Sequence, residues 1–364
     1  MVGAFPPPVH GMAAMNAAMR DYLVQNGLQP IVLDTGASGL SRTTWARLKR
    51  FPKILRAAVK LAGRRRGNTT SLYIGVSGGI GQVYDIVLLA VGRVRGMRLF
   101  LHHHSYAYVD TKSAIFAMLS YVAGPKAIHV VLSPSMGARL KKRYSAVQGT
   151  FELSNSSLMK AGVSVGPRSE LRTIGFLGNV SEAKGIFDFL EVTEELKSHG
   201  ADIVALVAGP YEDECIERAV TQRMESIPGV RYLGPVHGGE KDKFFERTDV
   251  LLFPSRYVNE AQPLTVFEAM RAGVPVITTS RGSLPEMIGS DCGLVVDQSA
   301  SYCDAAVRRI DQWRASRSSL AASSAACRSR FLYQREHGVR KLGELLDMLS
   351  AGAVQQGKRN RRLV

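Results

Sequence analysis

Apolar runs of strand length alternate along this chain with longer stretches whose apolar positions recur every three or four residues. In the first half the short runs are Val2–Phe5, Gln29–Asp34, Leu72–Val76, Val87–Ala90, Met97–His102 and Ile128–Ser133, each read as a strand. The segment Ser145 to Pro167 is rich in glycine and serine and reads as loop and linker. The second half opens with a strand at Arg172–Leu177, a helix at Gly185–His199 and strands at Ile203–Ala208 and Val230–Leu233. Asp249–Ser255 is a short apolar run stopped by Pro254. A helix follows, with Pro263 at its start, Leu264, Phe267 and Met270 on one face and Gly273 as its stop. Val274–Thr278 reads as the next strand, and Ala305 to Ser350 as helices. Strand and helix segments that alternate in both halves predict two parallel α/β sheets.

Where such a strand ends and its helix begins, ligands bind. That places Glu260 in the binding loop and Glu268 about one turn into the helix, seven residues intervening. The backbone N–H groups of Leu264 and Thr265, in the first turn, are donors suited to a phosphate. A second candidate lies at Gly178 to Gly185, where Lys184 follows a strand and opens a helix, ready to meet a diphosphate as a point charge. Pro6-Pro7-Pro8-Val9-His10-Gly11 follows the first strand, and Gly11 permits close backbone approach. His102, His103 and His104 end another strand. Side chains alternate faces there, so only two can converge, and no nearby carboxylate or cysteine completes a zinc set. Gly75-x3-Gly79-x-Gly81 and Tyr108-x3-Lys112 mimic a dehydrogenase, but the glycine loop does not follow the first strand and the spacing between the two is too short.

The segment from Asp249 to Val296 resembles the donor site of retaining glycosyltransferases of family 4. It carries Pro254-Ser255, then Glu260-x7-Glu268, then Glu268-Ala269-Met270-x-x-Gly273-x-Pro275-Val276, then Pro285-Glu286. The resemblance implies the GT-B fold: two Rossmann-like parallel-sheet domains facing a cleft, with a C-terminal helix crossing back onto the first. The domains are then 1–166 (acceptor side), 167–340 (nucleotide-sugar side) and 341–364 (helix end and a basic tail without regular structure from Gly357). It also implies that Glu260 contacts the donor sugar's hydroxyls and that Glu268 holds the ribose hydroxyls. Lys184 and Gly185, with Pro263, Leu264 and Thr265, hold the diphosphate, and the loop at Gly11 closes over it. Asn179 stands where the family has an arginine. His104 matches the family's sugar-orienting histidine, with His103 open as the alternative because register is uncertain by one. No D-x-D triplet occurs, so a metal-independent reaction is expected, with no cofactor beyond a UDP-, GDP- or ADP-sugar donor. The expected acceptor is a saccharide or polyprenyl-linked saccharide, in cell-surface polysaccharide synthesis. Another sugar-nucleotide enzyme of the same fold, epimerase-like, is the alternative.

Charge changes this picture in one respect. Of 47 Lys and Arg and 31 Asp and Glu, residues 1–166 hold 21 and 5, so the first half carries the entire net charge of +16. Such asymmetry points to a polyanionic partner. Aromatic residues do not interleave with the basic clusters, and no nucleic-acid module is present, so a nucleic-acid binder is the weaker rival. From Thr44 to Gly63, Trp45, Leu48, Leu55, Val59 and Ala62 share a helical face, Pro52 interrupting. Arg42, Arg47, Lys49, Arg50, Lys53, Arg56, Lys60 and Arg64-Arg65-Arg66 surround them, the composition of an interfacial segment on an anionic membrane. The chain has no apolar run of bilayer length and no signal-peptide pattern at its start, and its four cysteines lack metal-ligand spacing. The expected location is cytoplasmic, peripheral to the inner face of the membrane.

Overall fold

The computed structural model describes residues 1–7, 11–36, 50–64, 70–162 and 166–360. The chain forms two compact units, Met1–Met159 with Glu336–Val364, and Lys160–Arg335. The first junction thus falls at 159/160 and the second at 335/336, against 166/167 and 340/341 expected from the sequence.

In the first unit six parallel strands, β1 (Val2–Gly3), β2 (Leu33–Asp34), β3 (Ser71–Val76), β4 (Arg98–His103), β5 (Ile128–Val131) and β6 (Gly149–Glu152), lie in the order β2-β1-β3-β4-β5-β6. The connecting helices are α1 (Gly11–Gln25), α2 (Phe51–Ala62), α3 (Gln82–Val94), α4 (Ala107–Asp110), α5 (Ala114–Ala123) and α6 (Pro134–Arg143). Strands covered on both faces are apolar throughout rather than alternating, and β3 and β4 are buried beyond their first residue. Helix starts follow local chemistry. Ser113 accepts a hydrogen bond from the Phe116 amide at 3.2 Å, and Ser133, just before Pro134, accepts from Met136.

In the second unit β7 (Thr173–Leu177), β8 (Val204–Ala208), β9 (Val230–Tyr232), β10 (Val250–Phe253), β11 (Val276–Thr279) and β12 (Gly293–Val296) form a parallel sheet in the order β12-β11-β10-β7-β8-β9. Its helices are α7 (Ile186–Ser198), α8 (Glu214–Glu225), α9 (Gly239–Glu246), α10 (Leu264–Arg271), α11 (Leu284–Ile288) and α12 (Tyr302–Ala315). Ile174, Phe176, Phe189, Leu252, Ile277 and Trp313 are among its core. The last helix, α13 (Arg317–Asn360), leaves the second unit at Arg335 and joins the first, where Leu342 and Leu345 pack with Met19, Leu23, Tyr73 and Phe100.

Four expectations need correction. Val87–Ala90 is not a strand but part of α3. Its buried residues Gln82, Asp85, Leu88, Leu89 and Gly92 recur with helical spacing, and the apolar run is one face of a helix on the sheet. The loop expected at 145–167 contains the edge strand β6 and a 3-10 turn at Asn155–Leu158. Half-buried side chains and an edge position hide a strand from a search for apolar runs. The strands expected at Val2–Phe5 and Gln29–Asp34 pair over only Val2–Gly3 and Leu33–Asp34. The basic tail from Gly357 continues the last helix to Asn360. The residues 8–10 of the first loop, residues 42–49 of the interfacial segment with Trp45, and Arg65-Arg66 lie outside the described residues.

Candidate active site

The second sheet reverses its strand order between β7 and β10. From β7 the chain proceeds to β8 and β9 on one side, then returns to β10 on the other. Crevices at such switch points, beyond the carboxyl ends of the strands, are where α/β sheets bind ligands. Lys184 follows β7 and Glu260 follows β10, and the two meet over that boundary. The Lys184 ammonium lies 2.5 Å from Glu260 Oε2, which also accepts from the Ser255 hydroxyl at 2.8 Å. Glu260 is only 7% exposed, so this pairing offsets the cost of burying a carboxylate. The same ammonium sits 4.9 Å from the centre of the Tyr257 ring and 5.6 Å from that of Phe253, which confines it further.

The loop that carries Glu260 is braced from its neighbours. Thr279 donates to the Ser255 carbonyl at 2.6 Å, Arg281 donates to the carbonyls of Tyr257 and Val258 at 3.2 and 2.6 Å, and the Ser283 amide donates to Ala261. Two glycines permit the close approach. Gly185 has φ +80°, and a Cβ there would lie 2.4 Å from the Pro254 carbonyl oxygen. Gly282 has φ +56°, and its Cβ would lie 2.5 Å from the Glu260 carbonyl oxygen. Any other residue would meet both strain and a clash with backbone.

Eight residues past Glu260, Glu268 sits in α10 with each carboxylate oxygen 3.0 Å from the Lys241 ammonium of α9. Between the two glutamates, Pro263 precedes α10, and no side chain caps the helix. The helix dipole and the first-turn N–H groups of Leu264 and Thr265 therefore favour an anion there. Asn179 is exposed on the loop after β7. A cavity of 160 Å³ lined by Ser255, Thr279, Arg281, Asp297 and Tyr302 lies beside the Glu260 loop. A larger hollow of 650 Å³ along β12 and α12, with Arg308, Arg309 and Gln312 in its lining, touches neither ion pair.

Lys184, Gly185, Glu260, Pro263, Leu264, Thr265 and Glu268 thus gather at the carboxyl end of one sheet. Sequence reasoning named Ser255 within the Pro254-Ser255 motif without giving it a role, and missed Lys241, Arg281 and Gly282. Gly282 carried a signal, because a glycine three residues beyond the end of an apolar strand marks a turn. Lys241 carried none, since its role depends on where α9 lies against α10.

The first unit places its candidates differently. His103 is fully buried. Its Nδ1 lies 2.9 Å from the Tyr108 hydroxyl and its Nε2 3.0 Å from His129 Nδ1. Burial, then the neighbouring His129, holds it well below the usual histidine range, and burial lowers His129 to about 4. Both ring nitrogens of His103 are thus engaged inside this core. His104 is half-buried, and its ring centre lies 4.1 Å from that of His102. His102 is held by the Tyr73 hydroxyl at 2.5 Å from its Nδ1. Gly11 is exposed at the start of α1, and among the described residues a Cβ there would meet nothing within 4 Å. Among the described residues, no group of three or more His, Cys, Asp or Glu is placed to hold a metal ion.

Residues 163–329 match the family Glycosyl transferases group 1. An O-antigen chain mannosyltransferase B of Escherichia coli is 30% identical over 125 residues, 34% of this chain and 32% of that protein. A capsular polysaccharide biosynthesis glycosyltransferase, CapM, of Staphylococcus aureus is 22% identical over 60% of this chain and 57% of its own length. The matched stretches thus span about a third to just over half of these relatives. Among solved structures, HepE of Anabaena in complex with UDP superposes with a TM-score of 0.66 at 12% identity, covering 94% of this chain and 99% of that one. Sucrose-phosphate synthase of Thermosynechococcus elongatus reaches 0.71 at 15% identity, covering 96% and 99%. The chain has the GT-B fold, and its second unit carries a domain of the glycosyl transferases group 1.

Proposed function

We propose that this chain moves a sugar from a nucleotide diphospho-sugar to a saccharide or lipid-linked saccharide acceptor with retention of anomeric configuration, as the retaining glycosyltransferases of family 4 do. One observation carries the reading: Glu260 and Glu268, each held by a lysine, stand on either side of an uncapped helix start at a sheet switch point. Carboxylates accept hydrogen bonds from hydroxyls, so Glu260 takes those of the sugar and Glu268 those of the ribose. The amides of Leu264 and Thr265 with Lys184 and Gly185 receive the diphosphate as its charge develops, which is where preorganised donors accelerate most. No metal or cofactor takes part. In the first unit, His104 and Gly11 are the residues proposed to contact substrate. Solved neighbours bound to UDP and to UDP-glucose support a nucleotide-sugar donor. The names of relatives from O-antigen and capsule synthesis support an acceptor in surface-polysaccharide assembly. The basic first half supports an anionic membrane as partner and a place on its cytoplasmic face.

The test is a thermal-shift screen with UDP-, GDP- and ADP-sugars, followed by transfer from a labelled donor with EDTA present and NMR of the anomeric proton formed. Stabilisation by one nucleotide class and a product of retained configuration are expected. Stabilisation by none would sink the donor site. Loss of transfer in EDTA, restored by manganese, would sink metal independence. Label that stays on the nucleotide as an isomerised sugar would make the enzyme an epimerase.

A further inference from the structure

We infer that the outer faces of α2, α3 and α5 form one apolar surface that inserts into an anionic bilayer. The inference rests on the membrane reading above and adds to it the surface and the mode of attachment. α2 and α5 each pack beside α3 in the first unit. Two arginines at the end of α3 fasten the set: Arg93 donates to the carbonyls of Tyr121 and Val122 at the end of α5, both at 2.9 Å, and Arg95, just past α3, donates to the Arg64 carbonyl just past α2. The layer is therefore held in place by its own cross-links.

Each helix turns large apolar side chains outward at helical spacing. On α2 these are Phe51, Leu55 and Val59. On α3 they are Val83, Val87 and Val94, the last 69% exposed. On α5 they are Met118 and Tyr121, the latter 72% exposed. α5 contains no charged residue at all along Ala114–Ala123. A helix apolar on every side is one that something covers, and outward apolar side chains on three neighbouring helices mark an interaction site.

Charge selects the occupant. The segments 51–64, 79–95 and 111–127, which hold these helices, contain eight Lys and Arg and a single acidic residue, Asp85, whose carboxylate is buried. Arg56 and Lys60 stand between the exposed apolar residues of α2, and Lys112 and Lys126 flank α5. A second copy of this chain would oppose like charges across such a face, and a neutral protein would leave them unanswered. Anionic lipid headgroups meet the basic rim while the acyl boundary takes the apolar centre, which is the division of labour in an interfacial helix.

Flotation with vesicles of phosphatidylcholine alone, and of phosphatidylcholine mixed equally with phosphatidylglycerol, tests this at low and high salt. The full chain is expected to float with the mixed vesicles and to keep part of that binding in high salt, because headgroup attraction is screened and apolar insertion is not. Replacing Val87, Met118 and Tyr121 together by Gln should weaken partition by roughly tenfold or more and abolish the salt-resistant part. Arg56→Glu with Lys60→Glu should remove mainly the salt-sensitive part. All three glutamine sites are solvent-exposed, so thermal melting and donor-induced stabilisation should stay as in the wild type. If the glutamine variant floats as well as the wild type while the charge variant does not, the apolar face is refuted and a purely electrostatic membrane reading stands. If the wild type floats with neither vesicle, both fail. A dimer in light scattering that the glutamine substitutions dissociate would assign the face to a second copy and overturn the inference.

Discussion

The carboxyl ends of the two sheets are built on opposite principles. In the second unit, charge answers charge: Glu260 with Lys184, Glu268 with Lys241. In the first, His102, His103 and His129 are buried, held neutral by desolvation and tied to tyrosines and to one another. An ion pair can exchange its partner for a ligand's charge at little cost, since the attraction is replaced rather than lost. A neutral buried network cannot make that exchange and serves to fix geometry. The second unit is therefore the one suited to meet a diphosphate, and the first to hold the ring of His104 in a set position.

Lys184→Met should break the paired end most severely. It leaves Glu260 buried with only Ser255, and removes the cation proposed for the leaving diphosphate. Turnover should fall about 10²- to 10³-fold, as when one donor to a developing anion is lost. Steady-state kinetics with the donor read this out, and unchanged turnover would show the pair to be structural. Next in size, Glu268→Gln should weaken nucleoside diphosphate binding by about 1.5–3 kcal/mol, the worth of charged hydrogen bonds, with the melting temperature retained. Calorimetry that finds equal affinities would remove Glu268 from the nucleotide site.

The neutral end makes a prediction about acid. His102, His103 and His129 have folded-state values below the 6.5 of the unfolded chain, so below that pH the unfolded state binds more protons and stability falls as pH falls. Each such histidine costs roughly 1.4 kcal/mol per pH unit, and for His129 the loss ends near its folded value of about 4. Melting of the first unit should shift steeply between these limits, and His129→Gln should flatten the slope. A pH-independent melt there would contradict the neutral network. Smallest is Tyr73→Phe, which removes the hydroxyl on His102 Nδ1 and should cost about 0.5–1.5 kcal/mol of stability. It should also shift the ring signals of His104 in NMR. If the His104 signal is unchanged, the contact between the two rings transmits nothing.

The same contrast explains what the sequence disclosed. The Glu260–Glu268 spacing, the helix starting after Pro263 and the lysine in the turn before α7 are all local features. Lys241 and Arg281 reach their partners across the fold, and no local pattern specifies that. The neutral network was legible only as a run of histidines. Which of them faces the core follows from the register of β4 against β3 and β5, and the sequence does not state that register. Val87–Ala90 was misread for a related reason. A short apolar run fits either period, and only its burial at helical spacing decided for α3. The outward apolar side chains of α3 and α5 were invisible for the converse reason: periodicity locates a greasy face without saying whether anything lies against it.

Gly185, set against the Pro254 carbonyl, bears on how this chain can drift. A carboxylate that touches only substrate is free to change once the substrate changes, and a descendant with a different donor could lose Glu268 without losing its shape. Position 185 has no such freedom, because a methyl group there would collide with backbone whatever ligand is present. In a saturation library screened for folding alone, Glu260 and Glu268 should tolerate replacement, whereas position 185 should return glycine almost exclusively. A descendant that had abandoned the reaction would still carry that glycine.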